Sequence, residues 1–127
     1  MPDDPLLLVD SITEAIGPGA GRLVVSGSHG GISAGRFAVQ AGVRLAVFND
    51  AGVGLDDAGI AGLALLQDAG IAGCTVSHHS ARIGEARSTL DDGVISHVNE
   101  AAAALGARPG LRLRDWIDRL LADDRTS

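Results

Sequence analysis

Short apolar runs alternate with polar, glycine-bearing segments and with stretches of helical spacing along most of this chain. Leu23, Val24 and Val25 lead as a strand into a loop over 26–31, and a short helix follows over 33–40. A second strand over 43–48 leads into a loop over 49–54. Behind that loop, Ile60, Leu63, Ala64 and Leu66 mark the buried side of a helix running from 56 or 57 to 69, with aspartates favourably placed in its first turn. A third strand over 71–76 leads into a loop over 77–84. Val94, Val98, Ala101, Ala102 and Leu105 then predict a helix from about 90 or 94 through 105.

The ends carry their own signatures. Ser11-Ile12-Thr13-Glu14 has the form of a capping box and predicts a short helix through Ile16, stopped by the glycine- and proline-rich segment 17–21. Leu113, Trp116, Ile117, Leu120 and Leu121 predict a terminal helix that covers a sheet edge or a partner, with 122–127 fraying.

Three strand-loop-helix units in succession predict an α/β fold, since each parallel connection needs a crossover of about a dozen residues. The expected architecture is a small two-layer or three-layer domain with a mainly parallel sheet of at least three strands and a C-terminal helix. A length of 127 residues leaves room for one domain over 1–127, frayed at both ends. Two open sheet edges make a homo-oligomer the expected assembly, with a larger partner subunit as a further option.

Composition narrows the class. With 46% hydrophobic and 20% charged residues, the chain is too apolar for a disordered acidic tail and too interrupted for a membrane span. It has 2 Phe, 1 Trp and no Tyr, so Ala, Val, Leu and Ile must fill the core. The 18 glycines lack the every-third spacing of collagen and cluster in loops. A net charge of -6 disfavours a phosphate-backbone binder, so no nucleic-acid partner is expected. The single Cys74 cannot form an intrachain disulfide, and the opening MPDDPLLLVD has neither the basic stretch nor the long apolar core of a signal peptide. A cytoplasmic location without a membrane partner is the expectation.

The candidate chemistry sits after the strands. The C-terminal side of a parallel sheet is where open α/β proteins build their sites. That rule gathers Ser28, His29, Asn49, Asp50, Ser77, His78, His79, Ser80 and Arg82 on one rim. His29, Asp50 and His78 are the candidate proton-transfer groups. Ser28, Gly30, Gly31, Asn49 and Ser80 are candidates for binding an anionic or carbonyl oxygen, and Arg82 for balancing its charge. Extended backbone would point His78 and His79 in opposite directions, so only one of them is expected to face the site. The loop over 26–31 lacks a Walker lysine and an in-frame G-x-G-x-x-G, and the chain has no H-E-x-x-H or paired cysteines. No cofactor and no metal are therefore expected, and Cys74, inside a strand, reads as a small buried hydrophobe.

These features predict a small metabolic enzyme acting on an anionic small molecule by acid–base chemistry, hydrolase-like or lyase-like. The alternative is a noncatalytic metabolite-binding or regulatory subunit using the same loops. A third option is an assembly protein whose glycines serve compact packing.

Overall fold

The computed structural model describes residues 4–54 and 57–126. Its centre is a five-stranded sheet in the order β1-β2-β3-β4-β5. The strands are β1 (Leu6–Val9), β2 (Leu23–His29), β3 (Leu45–Asn49), β4 (Ala72–Val76) and β5 (Ile95–Val98). The first four are parallel and β5 runs antiparallel to β4. The helices are α1 (Ile32–Ala41), α2 (Gly62–Asp68), α3 (Ala86–Asp92), α4 (Glu100–Ala104) and α5 (Leu113–Thr126), with a 3-10 helix at Ile12–Ala15.

Side-chain alternation along the strands divides the core into two halves. Leu23, Val25, Leu45, Val47, Cys74 and Val76 face Leu90 of α3 and Leu113, Trp116, Ile117 and Leu120 of α5. Val24, Ala46 and Phe48 face α1, α2 and the 3-10 helix. The domain is therefore a three-layer sandwich. The small residues have a specific use on the second face. A Cβ at Gly35 would stand 2.8 Å from Gly62 Cα, and one at Gly62 would stand 2.5 Å from the Gly31 carbonyl oxygen. Helices α1 and α2 thus meet backbone to backbone, which larger residues at these positions would prevent.

Several elements differ from the sequence expectation. β1 is a fourth parallel strand, too short at Leu6–Val9 to show a period. β2 continues through Ser28 and His29, which belong to strand rather than loop. α2 starts at Gly62, not at 56 or 57. Asp57 therefore precedes the helix at a left-handed φ of 59°, and Asp56 lies outside the described residues. The helix expected through 105 is three elements. α3 ends at Asp92, Gly93 follows, β5 pairs with β4, and Asn99 then caps α4 with its side chain. Val94 and Val98 had a helical spacing, but β-branched residues between a glycine and an asparagine also suit a strand, and pairing with β4 decides it.

Toward the C-terminus, the apolar side of α5 is used within the chain. Trp116 is buried, and its indole N–H donates to Leu105 O at 3.0 Å. The segment before α5, not the helix itself, covers the beginning of the β5 edge, through Ile95 N to Leu111 O and Gly110 N to Ile95 O, both 2.8 Å. Among the described residues no helix is long and apolar enough to cross a membrane.

Candidate functional site

The path of the chain creates a crevice between β3 and β4. After β3 the chain passes to α2 on one face of the sheet, and after β4 it passes to α3 on the other. Adjacent parallel strands whose connections diverge in this way leave an opening at their carboxyl ends, where ligands bind in open α/β folds. Asp50 is the first residue beyond β3, and Ser77 and His78 are the first beyond β4.

Asp50 is 5% exposed and its carboxylate is surrounded by donors. Oδ1 accepts from Gly52 N at 2.8 Å and from His78 N at 3.1 Å, and lies 3.4 Å from His78 Nδ1. Burial works to raise the Asp50 pKa. Hydrogen bonds from the Gly52 N–H, the Ser96 hydroxyl, and the His78 N–H and ring outweigh it, so the group stays below its ordinary value. The loop beyond Asp50 is strained, with Ala51 at φ 51° and Val53 at φ 68°. A β-branched residue in that region carries a cost that surrounding structure must offset, and such costs concentrate at functional sites. Gly52, at φ 76°, leaves room for the imidazole, since a Cβ there would lie 3.3 Å from His78 Cε1.

His78 and His79 do not diverge as extended backbone would require. Ser80 N bonds Ser77 O at 2.9 Å, making a turn, and the two rings lie together with centroids 3.9 Å apart. They line a cleft of about 480 Å³ with Ser80, Arg82, Ser88 and Asp92. The Arg82 side chain is 80% exposed, with Nη1 3.8 Å from Glu85 Oε2, so it is free to swing toward a bound anion.

The other candidates are largely framework. Ser28 Oγ accepts from Ile12 N at 2.9 Å. Gly30 N donates to Asn49 O at 2.9 Å, and Gly30 O accepts from Gly62 N at 2.8 Å. Gly31 is the N-cap of α1, its open side covered by the His29 ring, which a Cβ would meet at 3.1 Å. Asn49 is fully buried, donating to Ala81 O at 3.0 Å and accepting from Ala51 N at 2.8 Å. Ser80 Oγ donates to Ser77 O at 2.7 Å and accepts from Val94 N at 2.9 Å. His29 is exposed, and among the described residues it has no hydrogen bond or ion pair to Asp50. The histidine beside Asp50 is His78.

Three residues join the site that the sequence did not single out. Asp10 follows β1, and its Oδ1 accepts from Ala86 N at 2.9 Å, tying the rim to the start of α3. Thr75 and Ser96 stand behind Asp50, with their hydroxyl oxygens 2.8 Å apart. Asp10 carried the same signal as the other candidates, a polar residue just after an apolar run. Ser96 carried none, because its place depends on how β5 pairs with β4. Burial pushes the Cys74 thiol up to about 12, which keeps it unreactive. Among the described residues no three His, Cys, Asp or Glu side chains gather as a metal site.

No family model matches the chain, and neither the known curated proteins nor the solved structures provide a match.

Proposed function

We propose that this protein is an enzyme that acts on an anionic small molecule by acid–base chemistry, hydrolase-like or lyase-like, with His78 moving the proton. The observation that supports it most is the Asp50–His78 pair in the crevice between diverging strand connections. A carboxylate facing Nδ1 favours the tautomer with hydrogen there, which leaves the Nε2 lone pair to take a proton from substrate. Asp50 does not itself exchange protons in this reading; it orients the ring and stabilises the imidazolium that forms. Arg82, on the same cleft, supplies the positive charge for an anion, and the His79 ring lies beside it as a hydrogen-bonding group.

A recognition role without turnover is favoured by one feature, the 38% exposure of the His78 side chain, which leaves the ring in contact with water. One experiment separates the two. The protein is incubated in D2O with a panel of short hydroxy acids, keto acids, carboxylic esters and phosphate monoesters, and followed by proton NMR for product or for deuterium entering a carbon-bound position. The enzyme reading expects turnover or exchange for one compound class, lowered by at least about 10²-fold in His78→Gln. Saturable binding of a panel compound with neither turnover nor exchange would overturn it in favour of the binding subunit.

A further inference from the structure

The second large cleft of the molecule lies along the outer strand β5, with a volume of about 560 Å³. Ile60, Leu63 and Ala64 form an apolar wall, with Pro109 at the margin. Two of its polar side chains are held by the fold. Asn99 Oδ1 accepts from Gly73 N at 3.0 Å and Ala102 N at 2.9 Å, while Nδ2 donates to Leu63 O at 3.3 Å and Ile71 O at 3.0 Å. Gln67 Oε1 accepts from Ala101 N at 2.9 Å. Among the described residues of the lining the titratable groups are His97 and Glu100, with no lysine or arginine.

A β-bulge sets the direction of His97. Val76 pairs with Ile95 and Thr75 with His97, so Ser96 is an extra residue, and both it and His97 reach the Thr75 side chain. His97 Nδ1 lies 3.3 Å from Ser96 Oγ and 3.5 Å from Thr75 Oγ1. The protons of this triangle can be assigned. The Ser96 hydroxyl donates to the Thr75 carbonyl oxygen at 3.4 Å, with the Asp50 carboxylate as its other acceptor; neither partner can donate, so the Ser96 hydrogen is spent on them. The bond between Ser96 and Thr75 then takes the Thr75 hydrogen. Neither hydroxyl has a hydrogen left for His97, so Nδ1 is the donor and Nε2 of the neutral ring is an acceptor.

His97 Nε2 and the exposed Glu100 carboxylate are therefore acceptors on the lining of this cleft, beside an aliphatic wall. We infer that the β5 cleft is a second ligand site, selective for a small primary ammonium compound with an apolar body. The ammonium donates hydrogen bonds to His97 Nε2 and pairs with Glu100, while the hydrocarbon covers Ile60, Leu63 and Ala64. An anion would meet Glu100 without a compensating cation. The site is independent of the reaction proposed at the rim.

The test is a proton–nitrogen correlation NMR titration of the full chain with n-butylammonium, butyrate and butanol at matched ionic strength. Butylammonium is expected to give saturable shifts at residues 60–67 and 96–100, and butyrate none. Glu100→Gln should weaken butylammonium about threefold, the scale of one solvent-exposed charge pair. His97→Phe should weaken it about fivefold through the lost acceptor. At a pH where the His97 ring is neutral, long-range nitrogen spectra of the unliganded wild type should show its hydrogen on Nδ1. Butanol or butyrate binding as well as butylammonium, absence of saturable shifts with butylammonium, or a hydrogen on His97 Nε2 would each overturn the inference.

Discussion

The end of β2 and the ends of β3 and β4 share one composition, serines, histidines and glycines after an apolar run, yet they do different work. At the end of β2, Ser28 holds Ile12 N and Gly30 is locked between Asn49 O and Gly62 N. At the ends of β3 and β4, Asp50 takes three contacts from Gly52 and His78, and the imidazole beside it faces an open cleft. A polar, glycine-rich loop can thus be framework or site, and the difference is whether its polar atoms already have partners in the fold.

Four measurements would break or sharpen that contrast. The largest effect is expected at His78, where replacement by Gln should lower turnover or exchange by about 10²–10⁴-fold, the usual contribution of a positioned acid–base group. His29→Ala should change the same rate by only a few-fold. Equal losses in the two variants would remove the distinction between the strand ends.

Next in size is a glycine test of the framework. A Cβ at Gly59 would stand 1.8 Å from Asp50 O, and one at Gly30 would stand 2.6 Å from Gly59 O. Since the obstructing atoms are backbone, Gly59→Ala and Gly30→Ala should each destabilise by about 1–3 kcal/mol in urea unfolding. A Gly30→Ala protein of wild-type stability that has lost ligand binding would return the β2 loop to the site.

Asp50 also links the site to acid stability. Its folded pKa lies below the unfolded value of 3.8, so at pH values between the two the unfolded chain binds more protons. The resulting stabilisation is fully present above 3.8 and is lost as pH falls through the lower, folded value. Urea midpoints measured against pH should therefore fall less steeply below 3.8 in Asp50→Asn than in the wild type. An unchanged slope would mean that the donors around Asp50 do not hold it ionised.

The smallest effect is assigned to Ser28→Ala. Losing the bond to Ile12 N should cost about 1 kcal/mol of stability while leaving turnover unchanged. A selective loss of activity at full stability would show that Ser28 touches substrate.

Much of the site's neighbourhood was legible before its geometry. The rule that places ligands beyond parallel strands located Asp50, His78, His79 and Arg82 from sequence position alone. Choosing between His29 and His78 as the partner of Asp50 was out of reach, because it depends on the loops after β3 and β4 leaving by opposite faces. The side-by-side arrangement of His78 and His79 was hidden for a local reason, a turn at Ser77–Ser80 in place of strand alternation. Ser28, Asn49 and Ser80 looked available because their partners, Ile12, Ala81 and Val94, are 16, 32 and 14 residues away along the chain.

By itself the sequence determined the α/β class, the parallel strands β2, β3 and β4, the C-terminal helix and the rim on which polar groups gather. These follow from short-range periodicity, the apolar runs and the residues that stop them, which act over a few positions. Tertiary structure decided that 95–98 is a strand, that Ser96 and His97 both reach Thr75 across a bulge, and which polar groups of the rim are held by distant parts of the fold. The physical reason is that strand pairing and hydrogen-bond satisfaction are properties of two distant segments together, so neither segment carries the outcome alone.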